Sequence, residues 1–259
     1  MIEPFATPWG SDVLVFASLD STSRYLWQQA QAGAPHGTVV VAEQQLAGRG
    51  RRGRQWHSPV GLNLYFSILL RPVVELAEVA QFSLVAAVAL WRALNHEISG
   101  LSIKWPNDLY CHDLKLAGIL AEMKPGLKQA EFVVVGIGLN VNSTITDFPL
   151  DLQSRVTSLR CESHRIFGLS SVLQSILAEF ADCEEIFYRE GLAGSIGSLI
   201  NRNFYLADKE IVVCFGDEKI RCRAQAIDDN GFLTAVTADG RRVSFNAGEA
   251  WLVKDEQDF

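Results

Sequence analysis

Gly37-Thr38-Val39-Val40-Val41-Ala42-Glu43-Gln44-Gln45-Leu46-Ala47-Gly48-Arg49-Gly50-Arg51-Arg52-Gly53-Arg54-Gln55-Trp56 runs from a β-branched strand straight into a loop of glycine and arginine. Gly48 to Arg54 holds three glycines and four arginines, so the loop has little apolar surface to bury and a dense positive charge to neutralise. Glycine lets backbone N–H groups come close to a ligand, and arginine offers a planar fork of donors matched to phosphate and carboxylate oxygens. The loop therefore reads as an anion-binding segment carried by a strand, with phosphate its natural guest. Like-charge repulsion and glycine entropy predict that it is mobile when empty and orders around an anion. A solvated basic loop and a short RGG-like nucleic-acid segment are the competing readings of these residues alone.

Composition narrows the choice. The chain has 259 residues, 48% of them hydrophobic, enough for one large domain or a large domain with a small appendage. A formal charge of −7 and a pI of about 5.3 put the arginine cluster in an acidic protein, whereas general nucleic-acid binders lie above about 9. Met1-Ile2-Glu3-Pro4 does not open a basic and then apolar leader, and no stretch reads as the roughly 18 apolar residues of a membrane span. Five scattered cysteines, an odd number without C-x-x-C spacing, fit a reduced, cytoplasmic setting. Cys111-His112 is the one adjacent Cys/His pair, and because neighbouring strand residues point to opposite faces, a shared metal is not expected there.

Outward from the loop, strands are predicted over Asp12–Ser18, Gly37–Glu43, Leu62–Leu70, Leu101–Trp105, Leu109–His112, Leu116–Lys124 and Glu131–Asn140. Asp20-Ser21-Thr22-Ser23 supplies N-caps for a helix to about Ala32; long helices are predicted over Glu75–Ile98 and Leu169–Gly191, with Phe148–Cys161 irregular. Past about Asn203 the texture changes to short strands at Glu210–Phe215, Ile220–Ile227, Phe232–Val236, Arg242–Phe245 and Ala250–Val253. Turn signals at Gly216-Asp217, Asp229-Asn230-Gly231 and Asp239-Gly240 separate them, the pattern of a small β-barrel. The expected division is residues 1–203 and 204–259, an α+β domain followed by the barrel.

Three further stretches can carry chemistry. In Lys104-Trp105-Pro106-Asn107-Asp108 a proline-rigidified corner presents an amide and a carboxylate, able to hold hydrated Mg²⁺ or nucleotide hydroxyls, or simply to make a turn. Lys115 enters an apolar strand, Leu116-Ala117-Gly118-Ile119-Leu120, either as a solvated strand end or as a cation set over developing negative charge. In Gly136-Ile137-Gly138-Leu139-Asn140-Val141-Asn142 alternation puts two glycines and two amides on one face, leaving room for a flat ligand or for a close helix. There is no Rossmann fingerprint, P-loop or nucleophile elbow, and Ser21-Thr22-Ser23 has no sequence-local base.

Taken in order, these motifs, with Thr157-Ser158-Leu159 and the tail through Gly248-Glu249, strongly resemble the bacterial biotin protein ligases. The resemblance implies a class II aminoacyl-tRNA synthetase-like catalytic domain with a central mixed or antiparallel sheet, followed by an SH3-like barrel. It implies that biotin and Mg·ATP form biotinyl-5′-AMP, and that a lysine of a biotin carboxyl carrier domain, such as that of acetyl-CoA carboxylase, then displaces AMP. By similarity, Ser21, Thr22, Gln45, Gly48, Arg49, Lys115, Gly118, Gly136 and Gly138 line the biotin pocket. Arg51, Arg52, Arg54, Trp56, Asn107, Asp108 and Asn140 serve the nucleotide, Asp108 the Mg²⁺, and Lys115 and Arg51 are the catalytic pair. Many members begin with a winged helix-turn-helix; here the catalytic pattern begins by Asp12, so a stand-alone ligase without operator binding or membrane attachment is expected. Family members commonly pair through the central sheet, which makes a homodimer the assembly to test. A lipoate or octanoyl ligase of the same fold is the nearest enzyme alternative, and a non-catalytic biotin- or nucleotide-binding regulator is the alternative of another class.

Overall fold

The computed structural model describes residues 2–215 and 218–253; the turn expected at Gly216-Asp217 lies outside the described residues. Seven strands form the first sheet: β1 (Leu14–Phe16), β2 (Val39–Ala42), β3 (Leu64–Leu70), β4 (Leu101–Lys104), β5 (Asp108–Cys111), β6 (Leu114–Pro125) and β7 (Ala130–Leu139). Their order is β1-β2-β3-β7-β6-β5-β4, with β1 and β2 parallel and every other neighbour antiparallel, so the sheet is mixed as expected. Central β3 is buried along its whole length, which is why it reads as a continuous apolar run rather than as an alternation.

Period-2 alternation divides the core between the sheet's faces. Val39, Val41, Ile68, Leu70, Val133 and Val135 belong to the larger cluster, which includes α2 (Gln81–Leu94) and α4 (Leu169–Glu190). Val40, Leu69, Phe132 and Val134 meet Leu26 and Ala30 of α1 (Thr22–Gln31) on the opposite face. Along β3 that second face continues from Leu69 to Ser67 and Tyr65, and along β7 from Val134 to Gly136 and Gly138. Apolar packing thus gives way to small and polar side chains beyond the N-terminus of α1, and the pocket opens there.

The single helix expected over Glu75–Ile98 is interrupted. Glu75 and Glu78 cap each other's backbone around a 3₁₀ turn at Leu76–Glu78, and the α-helix starts only at Gln81. By length and composition Leu76–Leu94 is apolar enough to cross a membrane, at a mean hydropathy of 1.4, contrary to the sequence expectation. Its α-helical part is instead a core helix, buried from Gln81 to Leu90 and packed against α4 and the sheet. Within the stretch expected to be irregular, α3 (Leu159–Ser163) forms under an N-cap from Ser158, and α5 (Ser195–Arg202) follows α4.

The second sheet contains β8 (Glu210–Phe215), β9 (Glu218–Ile227), β10 (Leu233–Thr237), β11 (Arg242–Phe245) and β12 (Glu249–Leu252), ordered β11-β10-β9-β8-β12 and antiparallel throughout. The segment leading into it and the turn between β9 and β10 are joined to the first sheet by backbone and side chain. The Ile103 N–H donates to Asn203 O at 2.8 Å, Tyr205 N–H returns to Ile103 O at 2.9 Å, and Trp105 Nε1 donates to Gly231 O at 3.0 Å. The Lys104-Trp105 segment is therefore a seam between the sheets.

Candidate active site

The four motifs meet in one cavity of about 560 Å³, within the range of small-molecule sites. Its floor is a row of paired positions across three strands, Gly138 opposite Gly118 and Gly118 opposite Asp108, with buried Tyr65 of β3 beyond Gly138. The next row sets Ser67 opposite Gly136 and Gly136 opposite Leu120. Lys115 lies three residues before Gly118 and on a regular strand would point to the other side of the sheet. A bulge corrects this: Leu109 pairs with Ala117 but Tyr110 with Lys115, so Leu116 is the extra residue and Lys115 turns to the face of Asp108 and Gly118. Its ammonium reaches Asp108 Oδ1 at 2.8 Å and stands 5.5 Å from the centre of the Trp56 ring.

The cap of α1 forms the second wall. Ser21 is the N-cap, and the Thr22 N–H donates to Gln45 Oε1 at 2.9 Å, with the Thr22 hydroxyl 3.2 Å from the same oxygen. Ser67, fully buried in β3, donates to Thr22 Oγ1 at 2.8 Å and lies 3.0 Å from Ser23 Oγ. This chain of hydroxyls fixes the Gln45 amide, whose Nε2 is 3.4 Å from Ser58 Oγ. The glycines are filled from different sides. A Cβ on Gly136 would fall 2.3 Å from Ser23 Oγ, so its missing side chain admits the helix cap; one on Gly138 would lie 2.4 Å from Trp56 Cε2, and one on Gly118 2.8 Å from Trp56 Cζ3. The Trp56 indole thus covers two of the glycines that the sequence offers to a ligand, and among the described residues its buried Nε1 has no hydrogen-bond partner.

The arginine loop is not left to repel itself. Arg49 forks onto Glu122 at 2.7 and 3.2 Å, and Arg54 pairs closely with Glu249, with Arg52 3.9 Å from the same carboxylate. Arg51 differs: its two acceptors are neutral, Asn107 Oδ1 at 3.2 Å and Gly248 O at 3.1 Å. Burial lowers its guanidinium below the usual arginine range, partly offset by the charges of Glu249 and Asp108. A desolvated cation with only neutral acceptors gains most from an incoming anion. Gly48 fits closely where it is, since a Cβ there would lie 2.7 Å from Trp56 O. Asn107 also donates to Ile119 O, and buried Asn140 donates to Thr157 O at 2.9 Å, so both amides hold the walls in place.

Several cavity residues were given no role of their own by the sequence. Lys104 is buried with its ammonium 4.3 Å from the Trp251 ring centre, 4.8 Å from that of Tyr110 and 3.1 Å from the Tyr110 hydroxyl. Glu249, Ala250 and Trp251 of β12 line the same cavity, so the second sheet supplies one wall. A lone serine in Leu64-Tyr65-Phe66-Ser67-Ile68-Leu69-Leu70 was the available signal for Ser67; the partners of Glu122 and Glu249 carried none.

Residues 15–140 match the Biotin/lipoate A/B protein ligase family, and residues 208–253 match the Biotin protein ligase C terminal domain. The biotin--[acetyl-CoA-carboxylase] ligase of Mycobacterium tuberculosis is 31% identical over 241 residues, covering 91% of this chain and 86% of that protein. The chain belongs to the biotin protein ligase family. The bifunctional ligase/repressor BirA of Escherichia coli is 32% identical over 249 residues, 96% of this chain and 76% of its own length. The chain spans little more than half of its Bacillus relatives, 55% of the Bacillus subtilis ligase/repressor, at 38% identity over 70% of this chain. Among solved structures, the biotin protein ligase of Aquifex aeolicus in complex with biotin and ATP superposes with a TM-score of 0.80 at 28% identity, over 93% of this chain and 97% of that one.

In this family member Glu249 ties the arginine loop to the C-terminal sheet, and its loss has a readable effect. The arginines are exposed, so each ion pair adds only about 0–1 kcal/mol and Glu249→Gln should fold normally. Losing about 1 kcal/mol of loop closure should raise tryptic cleavage at Arg51–Arg54 of the ligand-free protein about fivefold. Unchanged cleavage would remove Glu249 as the latch.

Proposed function

We propose that the chain is an ATP-dependent ligase that activates biotin as biotinyl-5′-AMP and transfers it to a lysine of a biotin carboxyl carrier domain. The observation that carries the reading is the convergence, in one cavity, of the Lys115 ammonium, the bare Gly118/Gly138 floor, the Thr22–Gln45 hydrogen bonds and a desolvated arginine on a glycine-rich loop. The Aquifex aeolicus protein whose fold this chain shares is described with biotin and ATP bound, which supports both ligands.

On this reading Ser21, Thr22, Gln45, Gly48, Arg49, Lys115, Gly118, Gly136 and Gly138 form the biotin side, and Trp56 serves the nucleotide. Arg51, Arg52 and Arg54 exchange their present partners for phosphate oxygens, while Asn107, Asp108 and Asn140 border the nucleotide. Mg²⁺ arrives as part of the Mg·ATP substrate. Asp108 and Glu249 are the carboxylates lining the cavity among the described residues, and one carboxylate with phosphate and water oxygens is an ordinary Mg²⁺ shell. We place Asp108 in that role.

In the first half-reaction a biotin carboxylate oxygen bonds to the α-phosphorus of ATP and the bond to the β-phosphate oxygen breaks, releasing pyrophosphate. In the second, a neutral lysine amine bonds to the acyl carbon, the carbon–oxygen bond to AMP breaks, and the amine's surplus proton passes to solvent. Lys115 stands where negative charge collects in both, first at the α-phosphate and then at the acyl oxygen, so one preorganised cation serves two transition states. The loop shields the acyl-phosphate from water between the steps.

The test is incubation with biotin, Mg·ATP and a carrier domain, read by intact mass. One biotinyl addition at a single carrier lysine, with biotin-dependent pyrophosphate release, is the expected result. Lipoyl addition in its place would transfer the chain to the lipoate branch, and ligand binding without pyrophosphate would make it a regulator.

A further inference from the structure

Outside the cavity, at the tip of the β5–β6 hairpin, three metal-ligating side chains converge. Alternation places Cys111 and His112 on opposite faces of a strand, but β5 ends at Cys111 and His112 takes a left-handed conformation, φ 53°, which swings its ring back. The turn holds because the His112 N–H donates to Gly100 O at 2.9 Å and Gly100 lacks a side chain; a Cβ there would lie 2.4 Å from His112 Cε1. Glu162 comes from α3, with its Oε2 3.7 Å from His112 Nε2. The Cys111 sulfur, an imidazole nitrogen and a Glu162 oxygen all lie within 4.8 Å of one another.

We propose that Cys111, His112 and Glu162 form a binding site for a thiophilic divalent cation of the zinc class, separate from the ligand cavity. Bonds of about 2.0–2.3 Å in a tetrahedral shell put ligand atoms roughly 3.3–3.8 Å apart, so the three atoms, now within 4.8 Å of one another, need close by at most about 1.5 Å. The exposed His112 ring, its side chain 64% accessible, can supply that movement and leaves the fourth position to water. A sulfur ligand selects against Mg²⁺ and Ca²⁺, which take oxygen. The carboxylate is already oriented: Glu162 Oε1 accepts from the Thr157 hydroxyl, leaving Oε2 toward His112. Burial, with the nearby Glu162 charge, pushes the Cys111 thiol up to about 12, and a bound dication would offset both effects as the thiol yields its proton to solvent.

Position gives the site a consequence. The Thr157 N–H donates to Lys115 O at 3.0 Å, so the cation would pin the hairpin carrying Asp108 and Lys115 to the segment that forms the adjacent cavity wall.

The test uses the full chain, stripped with chelator, kept reduced with a phosphine, and titrated with Co²⁺ as the optical probe. One equivalent should give a sulfur-to-cobalt charge-transfer band that excess Zn²⁺ extinguishes. Cys111→Ser should abolish the band; His112→Ala and Glu162→Gln should each weaken Co²⁺ binding at least about tenfold. Zn²⁺ should raise the melting temperature of the wild type but not of His112→Ala, an exposed change that leaves the fold intact. The site is refuted by absence of the band, by its survival in Cys111→Ser, or by unchanged affinity in the His112 and Glu162 variants. None of these outcomes bears on the ligase reading.

Discussion

Replacing Lys115 with alanine is expected to slow biotinyl-adenylate formation and transfer to the carrier together, each by about 10²–10³-fold, the cost of losing one preorganised charge-stabilising donor. The loss should appear in kcat with little change in the biotin KM, because the cation acts on charge that develops only in the transition states. Stability separates this from a structural effect. Lys115 and Asp108 form a partly exposed pair, their side chains 28% and 16% accessible, so breaking it should cost about 1 kcal/mol and only a few degrees of melting temperature. Asp108→Asn in the alanine background should recover that stability without recovering activity. Rapid-quench measurement of adenylate and pyrophosphate in single turnover checks the first half-reaction, and transfer from isolated adenylate checks the second. Normal rates for either would take Lys115 out of that step.

The reason Lys115 faces the cavity illustrates what a sequence conceals. Strand β6 was legible as an apolar run, and Lys115 was legible as conspicuous at its start. Its side of the sheet depends on the bulge at Leu116, which exists only in the pairing with β5, and register is a two-strand property. The α1 cap was readable because Ser21, the helix start and its Gln45 partner are encoded locally or in adjacent motifs. The break before α2 was not, since Glu75 and Glu78 read as helix residues until each is seen capping the other's backbone. Long-range pairing was hidden most completely. Four arginines in seven residues imply repulsion, yet Glu122 lies 73 residues from Arg49 and Glu249 195 residues from Arg54, and chain order says nothing of such distances. On the glycine face, read as room for a flat ligand or for a close helix, Gly136 is bare to admit the first turn of α1, whereas Gly118 and Gly138 make a flat floor against which Trp56 rests.

Those pairings also bear on the proposed role of the loop as a lid. Its outer arginines hold carboxylates and would have to exchange them, while Arg51, half-desolvated between Asn107 and the backbone of Gly248, already sits where the Lys104–Asp108 corner and the C-terminal sheet meet. It can gain a phosphate without first losing an ion pair. Arg51→Gly should therefore leave biotin affinity within a few-fold of wild type but speed dissociation of biotinyl-5′-AMP by about 10–100-fold, as expected for one lost charge-assisted hydrogen bond of about 1.5–3 kcal/mol. Escaped adenylate acylates any accessible amine, so the variant should biotinylate bystander proteins at several lysines while wild type labels only the carrier. Arg51→Lys keeps the charge but loses the planar fork, and should fall between the two. Stopped-flow chase of preformed adenylate gives the dissociation rate, and mass spectrometry of an added unrelated protein counts its labelled lysines. Wild-type retention in Arg51→Gly would move the lid function to Arg52 and Arg54, whose release from Glu249 would then have to be the closing step.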